Sequence, residues 1–347
     1  MKRIKVFFLL VVALMVIGFS SCQRRERLYV FNWAYYMPAE VIRLFEKEYN
    51  VRVVLDEYAS NEEMFAKIRV TGGNQYDLIF PSEDYTAIMI NLGLLAPIDY
   101  NKIPNLRNID RYWLRNSPDP EMRFSVPYCY GAAGIIVNTT RVPEFERSWT
   151  IFEREDLRGR MTLLDDMRET MSSALIRLGY YPNSVVPEEL HAARDLINNR
   201  WKPNIVRFDG DMYGRGFVNG DFWVSHGYPE NVFLEMDGCE VLLSNSVFFF
   251  PVEGFTAYLD SMVIPRGSRN VELAHKFINF IHRPDIYAIF VNEFGLPSII
   301  NIPARNYKVG KEWYSIEDLR GSTLKHDLGE DLTLWTDIWF NDIRPGH

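Results

Sequence analysis

The sequence contains no excess of positive charge and none of the familiar catalytic signatures. Its 38 basic side chains are outnumbered by 46 acidic ones, and the resulting net charge of −8 argues against a broad basic surface for nucleic acid. The HExxH, CxxC, GxxxxGK, GxGxxG and GxSxG patterns are absent. The six histidines show no spacing typical of metal ligands. We therefore expect no enzyme, no bound metal and no cofactor, and a cationic ligand suits this chain best.

What the sequence does contain is the composition of a folded protein with many aromatic rings. Its 347 residues are 47% hydrophobic and 24% charged, a balance typical of globular chains and, at this length, of about two domains. The 8 Trp, 19 Tyr and 23 Phe provide more ring surface than a core alone needs. Part of that surface is a candidate for contact with a ligand.

The first 22 residues resemble an export and lipidation signal. A basic start, residues 1–5, precedes an apolar run over residues 6–19, which is a secretory pattern and is short of the roughly 20 residues of a membrane-spanning helix. Ser20 and Ser21 then precede Cys22, as in the lipobox of bacterial lipoproteins, where the cysteine is diacylated. This pattern predicts a signal peptide and a lipid on Cys22.

Processing would change the charge and the thiol content of the chain. Residues 1–21 carry three basic and no acidic side chains, so their removal lowers the net charge from −8 to −11. Residues 22–27 then form a short polar tether between lipid and fold. The alternative is ordinary cleavage that leaves Cys22 as a free thiol. Cys129 and Cys239 are expected to be buried free thiols, although an exported pair could also form a disulfide.

Short strand patterns alternate with helical patterns along most of the chain. The predicted strands include residues 28–32, 51–55, 77–80, 161–164 and 222–225. The predicted helices begin near Pro38 and at a capping box from Ser60 to Glu63, and further ones cover residues 168–178, 188–199 and 271–282. This alternation predicts an α/β fold with two lobes, each a mainly parallel sheet flanked by helices. Because no flexible linker separates the halves, we expect several chain crossings at a hinge.

Side chains of one chemical type follow several of the predicted strands. Ligands of open α/β sheets bind beyond the carboxyl ends of the strands, rings attract cations, and carboxylates form charge-assisted hydrogen bonds with ammonium groups. Basic residues are nearly absent from these segments, where Arg168 is the only arginine. The residues that follow predicted strands are Trp33, Tyr35, Tyr36, Ser82, Asp84, Tyr85, Asp165, Asp166 and Glu169, and the apparent return crossing between the lobes adds Tyr258 and Asp260. They predict an acidic, aromatic-walled cleft for an elongated cation.

Each of these residues also has a structural interpretation. Ser82 could cap the following helix, and Trp33 and Tyr36 could be core rings. Asp165 and Asp166 could be imagined as the acid pair of a hydrolase, but adjacent strand residues point to opposite faces, so their carboxylates should diverge. The common chemistry of four separate segments favours the cleft.

Several ordered stretches resemble the periplasmic spermidine/putrescine-binding proteins of bacterial polyamine uptake systems, from about residue 28 to the C-terminus. The stretches are Leu28–Trp33 with Tyr36, Tyr58–Met64, Tyr76–Ser82, Asp165–Glu169, Leu259–Pro265, and Phe277–Phe280 followed by Arg283–Asp285. The resemblance implies two α/β lobes that close over a polyamine and deliver it to an ABC permease and its ATPase. We place lobe 1 at residues 28–135 plus about 262–305, and lobe 2 at about 136–261 plus 306–347.

The resemblance also implies roles for individual residues. Trp33 and Tyr36 would stack on the ligand, and Ser82 would hydrogen-bond to it. Asp166 and Glu169 would hold an amine at one end. Asp260 would take an inner or secondary amine beside an aromatic wall at Tyr258, and Tyr35, Asp84 and Tyr85 complete the candidate polyamine site.

Departures from the family pattern leave the preferred polyamine open. Ala34 and Tyr35 stand where the family has Thr and Glu, and Asp84 could restore the lost carboxylate. A cleft tryptophan is replaced near Ser225 or His226, and a late Gln by Lys325. We expect a lipid-anchored periplasmic monomer that binds spermidine, putrescine or both. The alternatives are a receptor of the same fold for another small ligand, and a surface adhesin or sensor.

Overall fold

The structure is a computed structural model, and it describes residues 25–34, 36–58, 60–236 and 238–345. The predicted signal peptide, Cys22 and Tyr35 lie outside the described residues, as does the start of the predicted tether. Cys129 and Cys239 are both free thiols, but only Cys129 is buried as expected, and Cys239 is half-buried. Within the described ranges no helix has the length and apolar character needed to cross a membrane.

Eleven strands and eleven α-helices are assigned within the described residues. The strands are β1 Arg27–Trp33, β2 Arg52–Tyr58, β3 Leu78–Ile79, β4 Ser125–Ala132, β5 Gly134–Asn138, β6 Met161–Leu164, β7 Ile205–Asp209, β8 Val224–Gly227, β9 Ser246–Phe249, β10 Thr256–Val263 and β11 Thr323–Leu324. The helices are α1 Ala39–Tyr49, α2 Asn61–Thr71, α3 Glu83–Asn91, α4 Met167–Arg177, α5 Pro187–Leu196, α6 Tyr213–Asn219, α7 Pro229–Glu235, α8 Glu240–Ser244, α9 Val271–Ile281, α10 Pro284–Glu293 and α11 Leu332–Asp337. The predicted α/β fold class is thereby confirmed.

Local sequence explains the first elements. Helix α1 buries Val41 and Phe45, four residues apart on one face, and ends where Asn50 takes a left-handed conformation. Helix α2 begins at the predicted cap, where the Ser60 side chain accepts a hydrogen bond from the Glu63 amide at 3.2 Å. These helices connect β1, β2 and β3 in one parallel arrangement.

The first sheet has the order β11-β10-β3-β1-β2, with β4 also paired to β10. Strand β1 lies between the parallel strands β2 and β3. Strand β10 runs antiparallel to β3 and β4, and its register shifts between Asp260 and Ser261. Such a bulge bends the strand and changes the direction of nearby side chains. Ile79, at the carboxyl end of β3, pairs with Val263, the last residue of β10, and the chain beyond β3 continues along β10, where the Ser261 amide donates to the Pro81 carbonyl at 3.0 Å.

The second sheet has the order β7-β6-β8-β5-β9. Strand β6 runs parallel to β7 and β8, whereas β5 is antiparallel to β8 and β9. Its core contains three fully buried tryptophans, Trp149, Trp201 and Trp335. Trp335 comes from α11, so the end of the chain packs on the second lobe.

The chain passes between the two sheets three times. It leaves the first sheet at Ala133 between β4 and β5, returns between β9 and β10, and leaves again after β11. Several crossings are what a hinge between lobes requires. The predicted limits of the lobes stay a prediction. They divide β10 at about residue 262 and assign β11 to lobe 2, whereas the hydrogen bonding places all of β10 and β11 in the first sheet.

Candidate ligand-binding site between the lobes

Asp260 and Ser82 meet where β10 passes the end of β3. The Ser82 hydroxyl donates to Asp260 Oδ1 at 2.7 Å, and the Ser82 side chain makes no capping bond although it stands at the N-cap position of α3. Asp260 is only 5% exposed. Burial raises the pKa of Asp260 to about 6, although the Ser82 hydrogen bond lowers it. A positive charge placed here would be attracted by this carboxyl group.

The first turn of α3 adds two further buried acids. Glu83 accepts hydrogen bonds from the Leu259 amide at 2.8 Å and from the Lys325 amide at 3.1 Å. Burial raises the pKa of Glu83 to about 8 and also raises the pKa of Asp84, against the opposing effects of Arg168 and Lys325. Glu83 thus joins β10 to the segment after β11, whereas the Asp84 carboxylate accepts from the Tyr85 amide at 2.9 Å.

The second lobe contributes acids from the start of α4. Asp166 caps this helix by accepting from the Glu169 amide at 2.9 Å. Glu169 is 1% exposed and accepts from Thr256 Oγ1 at 2.6 Å and from the Tyr228 hydroxyl at 3.3 Å. Because Thr256 belongs to β10, the Glu169 carboxylate connects the two lobes.

Lys325 places an ammonium group among these acids. Its Nζ lies 2.5 Å from Glu169 Oε1, and its side chain is 9% exposed. Burial alone would lower the pKa of Lys325, yet the surrounding Glu169, Asp166 and Glu83 carboxylates raise it above its usual value. The group therefore stays charged in a low-dielectric site.

Glu230 is a further buried acid near Asp260. The Tyr258 hydroxyl donates to Glu230 Oε1 at 3.2 Å, while Glu230 Oε2 has no hydrogen-bond partner among the described residues. Burial raises the pKa of Glu230 to about 7, and the nearby Asp260 adds to this effect. The Tyr258 ring reaches this position because residue 131 is glycine, where an added Cβ would lie 2.4 Å from the Tyr258 hydroxyl.

The predicted aromatic residues divide between the site and the core. Trp33 contacts Tyr58 with ring centroids 4.8 Å apart, and Tyr258 lies edge-on to Tyr228 at 5.6 Å. The Tyr36 ring packs edge-on against core rings, whereas its hydroxyl influences the Asp260 pKa. The Asp260 carboxylate contributes to the raised pKa values of Tyr36, Tyr58 and Tyr258, so these three side chains lie near it.

Tyr85 differs from the expectation. Its hydroxyl donates to Glu62 Oε1 at 3.0 Å and its ring packs edge-on against Phe65, so its contacts lie in the core behind α3 and not with Asp260. Asp165 also points elsewhere and accepts from Arg344 at 2.6 Å, which agrees with the expectation that it diverges from Asp166.

Four residues of the site escaped the sequence analysis or received no role there: Glu83, Tyr228, Glu230 and Lys325. The signal for three of them was available, since Glu83 stands between two predicted residues and Tyr228 and Glu230 follow β8 directly. The rule that ligands bind beyond the carboxyl ends of strands applies to them as well. Lys325 follows a strand of two residues, which carries no visible pattern.

The site is dominated by negative groups. Five buried acids come together with the half-buried Asp166, and they are Glu83, Asp84, Glu169, Glu230 and Asp260. The basic groups near them are Lys325 and Arg168, whose guanidinium is engaged by the His326 carbonyl and Asn183. Among the described residues no cluster of His, Cys, Asp and Glu has an arrangement that could hold a metal ion. The arrangement is suited to hold organic cations.

Two α/β lobes that enclose a polar site between strand ends define a solute-binding protein of the two-lobed type. The chain belongs to the bacterial extracellular solute-binding protein family, whose model matches residues 40–305. It is thus a transport-associated binding protein and not an enzyme.

Named relatives narrow the class further. The chain is 31% identical over 300 residues to the spermidine/putrescine-binding periplasmic protein of Salmonella typhimurium, covering 86% of this chain and 84% of the relative. It is 30% identical over 345 residues to the protein of the same name from Escherichia coli K12, covering 96% and 93%. The crystal structure of the TpPotD lipoprotein of Treponema pallidum is 45% identical, with a TM-score of 0.88 over 90% of this chain and 98% of that one.

Proposed function

We propose that this protein captures polyamines between its lobes and delivers them to an ABC permease. The observation that carries the proposal is the group of five buried acids around Asp260 and Glu169, which have few basic partners. Buried carboxyl groups without counter-charges are costly, and an ammonium ligand would compensate them through charge-assisted hydrogen bonds. Spermidine/putrescine-binding relatives at about 30% identity support the same ligand class, and a structural relative from Streptococcus pneumoniae is named as an ABC transporter substrate-binding protein.

The aromatic residues fit the apolar part of such a ligand. A polyamine alternates ammonium groups with methylene chains, and rings bind both, the cations at about 0.5 to 2 kcal/mol each. We propose that the ligand lies between the residues predicted from the sequence. They are Trp33, Tyr35, Tyr36, Ser82, Asp84, Asp166, Glu169, Tyr258 and Asp260. Tyr85, whose contacts lie behind α3, is left out of the proposed site.

Isothermal titration calorimetry tests the ligand class. Putrescine and spermidine are titrated into the purified mature protein, with glutamine and γ-aminobutyrate as controls that carry a carboxylate. We expect saturable binding of at least one polyamine and none of the controls, because a carboxylate would face the acids of the site. Absence of binding by both polyamines would refute the proposal.

Asp260→Asn tests the position of the ligand within that site. Loss of one side of a buried charge pair costs about 3 to 5 kcal/mol, which corresponds to an affinity loss of about two to four orders of magnitude. Asp221, which is exposed, gives the matched control Asp221→Asn, for which we expect unchanged affinity. Equal affinity of the two variants would place Asp260 outside the ligand site.

We also propose that a lipid on Cys22 anchors the mature protein to a membrane. The support is the lipobox-like sequence and the 45% identical relative, which is named as a lipoprotein. Mass spectrometry of the N-terminal peptide from the producing cell, or labelling with palmitate, would detect the acyl chains. A Cys22→Ala variant should lose the label and leave the membrane fraction.

A further inference from the structure

One end of the first lobe is rich in arginine, although the chain as a whole is acidic. This end consists of the amino ends of β1 and β2, the last turns of α1 and α2, and the loop between β10 and α9. Across the described ranges none of its basic side chains forms an ion pair. These exposed or half-buried residues, termed the basic end, are Arg25, Arg27, Lys47, Arg52, Arg69, Arg266 and Arg269.

Contacts between backbone segments bring the basic end together. In the parallel pairing of β1 with β2, Arg27 stands beside Arg52. The loop after β10 adjoins β1, because Asn270 Nδ2 donates to the Arg27 carbonyl at 2.9 Å. The same loop adjoins the end of α2, since a Cβ at Gly267 would lie 3.0 Å from the Gly72 carbonyl oxygen. The basic residues therefore share one surface of the lobe.

The acids at this end offset little of its charge. Glu48 pairs with Arg283 at 2.7 Å, and Glu46 accepts from an amide of β2. Asp77 is 2% exposed and accepts three hydrogen bonds from the loop after β10. Glu26 is exposed at the start of the fold. The seven basic residues thus outnumber these acids, and the surface attracts an anionic partner that the acidic remainder of the chain repels.

The predicted lipid would hold this same end close to a membrane. Only residues 23 and 24 stand between Cys22 and Arg25, and three peptide units reach at most about 11 Å. Attraction between basic residues and anionic lipid headgroups acts within about one Debye length, which is about 8 to 10 Å at physiological ionic strength. The anchor therefore brings the arginines of the basic end within range of the headgroups.

We propose that the basic end docks on anionic phospholipid headgroups, whose phosphates the arginine side chains bind. This inference rests on the proposed lipid anchor at Cys22. Guanidinium groups suit this partner, because they form paired hydrogen bonds with phosphate oxygens. Strand β1 has seven residues and spans about 20 Å, and its other end carries Trp33 of the ligand site. Docking in this orientation directs the site and the second lobe away from the bilayer.

Vesicle sedimentation tests the inference with the mature chain that carries Cys22→Ser, so that no acyl chain contributes to binding. Vesicles of phosphatidylcholine alone are compared with vesicles that contain phosphatidylcholine and phosphatidylglycerol in equal parts. We expect binding to the anionic vesicles and none to the neutral ones. Added salt should weaken the binding, because it screens the attraction between exposed charges.

Arg52→Gln combined with Arg269→Gln removes two exposed charges from the basic end. We expect the lipid concentration at half-maximal binding to rise about tenfold or more. The matched control combines Arg141→Gln with Arg160→Gln, two exposed arginines of the second lobe that lie over the Trp223 ring, and it should bind the vesicles like the parent chain. Polyamine titration of both double variants checks that they are folded.

The outcomes separate this inference from the proposed function. Equal binding to neutral and anionic vesicles, or an equal loss in the control, would overturn the inference, because the charge of the basic end would not be the cause. No binding to either vesicle would overturn it too, while calorimetry and mass spectrometry still decide polyamine capture and lipidation. If Cys22 carries no acyl chain, the tether fails and the inference fails with it.

A measurement on the lipidated, unsubstituted protein guards against effects of the substitutions. The protein is placed in neutral or anionic bilayers and treated with phenylglyoxal, which modifies accessible arginines, and mass spectrometry reads the modified positions. Arg52 and Arg269 should be less modified in the anionic bilayer, whereas Arg160 should be modified equally in both. Equal modification of Arg52 in the two bilayers would overturn the inference.

Discussion

Raising the pH from about 6 to about 8 is expected to tighten polyamine binding, because the acids of the site lose protons in this range. The pKa of Glu230 is raised to about 7 and that of Asp260 to about 6, in both cases mainly by burial. A bound ammonium lowers both pKa values, since it favours the charged carboxylates. The ligand keeps its charge, because primary ammonium groups titrate at about 10.4. Binding therefore releases protons, and the affinity must rise with pH.

The size of the effect follows from these two pKa values. If the ligand returns both carboxyl groups to their ordinary pKa range, the Glu230 contribution raises the affinity about tenfold and the Asp260 contribution about twofold over this pH range. The product is about 20-fold, or about 1.8 kcal/mol. At pH of about 7, about 0.6 proton should be released for each ligand bound. Glu83 is not counted in this sum, because both of its carboxylate oxygens already accept hydrogen bonds from backbone amides.

Calorimetry measures both quantities. Titrations at each pH give the affinity, and buffers with different ionisation enthalpies give the number of protons released. The variant Glu230→Gln should bind more weakly and lose most of the pH dependence, since its amide does not titrate. An affinity that is constant or falls from about pH 6 to about pH 8, with no buffer dependence, would refute the electrostatic account of the site.

Two further predictions concern packing and stability. Gly131→Ala should lower the stability of the fold and weaken ligand binding, because the added Cβ would lie 2.4 Å from the Tyr258 hydroxyl. Thermal unfolding measures the stability and titration calorimetry measures the affinity. A variant with unchanged stability and affinity would contradict the close contact between residue 131 and Tyr258. The ligand-free protein should lose about 2 kcal/mol of unfolding free energy between about pH 6.5 and about pH 8. The pKa of Glu83 is raised to about 8 and that of Glu230 to about 7, so the folded state binds more protons than the unfolded state and this advantage disappears as the pH rises. Denaturant unfolding at each pH checks the direction, and a rise in stability across the window would contradict it.

Much of the fold was predictable because its signals are local. Short, mainly apolar runs placed β1, β2 and β6, and the Ser60 capping box placed the start of α2. The strand-end rule also selected Ser82, which forms a hydrogen bond with Asp260 across 178 residues of sequence. Asp260 itself lies inside a strand, beside a bulge, and such irregularities have no short-range pattern.

The direction of individual rings was not predictable in the same way. Tyr36 and Tyr85 both follow strands, yet their rings pack largely against other aromatic side chains. Whether a ring after a strand faces a cleft or the core depends on which helix covers that end of the sheet. That information lies in tertiary packing, because the covering elements come from distant parts of the chain.

The sequence alone determined that this is an α/β protein with acids and rings collected at strand ends, since hydrophobic periodicity and residue type are properties of short segments. Only the tertiary structure decided how the charges pair. The Lys325 ammonium meets Glu169 across 156 residues of sequence, and the pair joins an element of each lobe. The sequence near Lys325 carries no sign of its partner, and the same holds for Glu169, because each residue belongs to a different segment of the chain. Which acids of the site are paired with a cation is therefore decided only when the two lobes pack together.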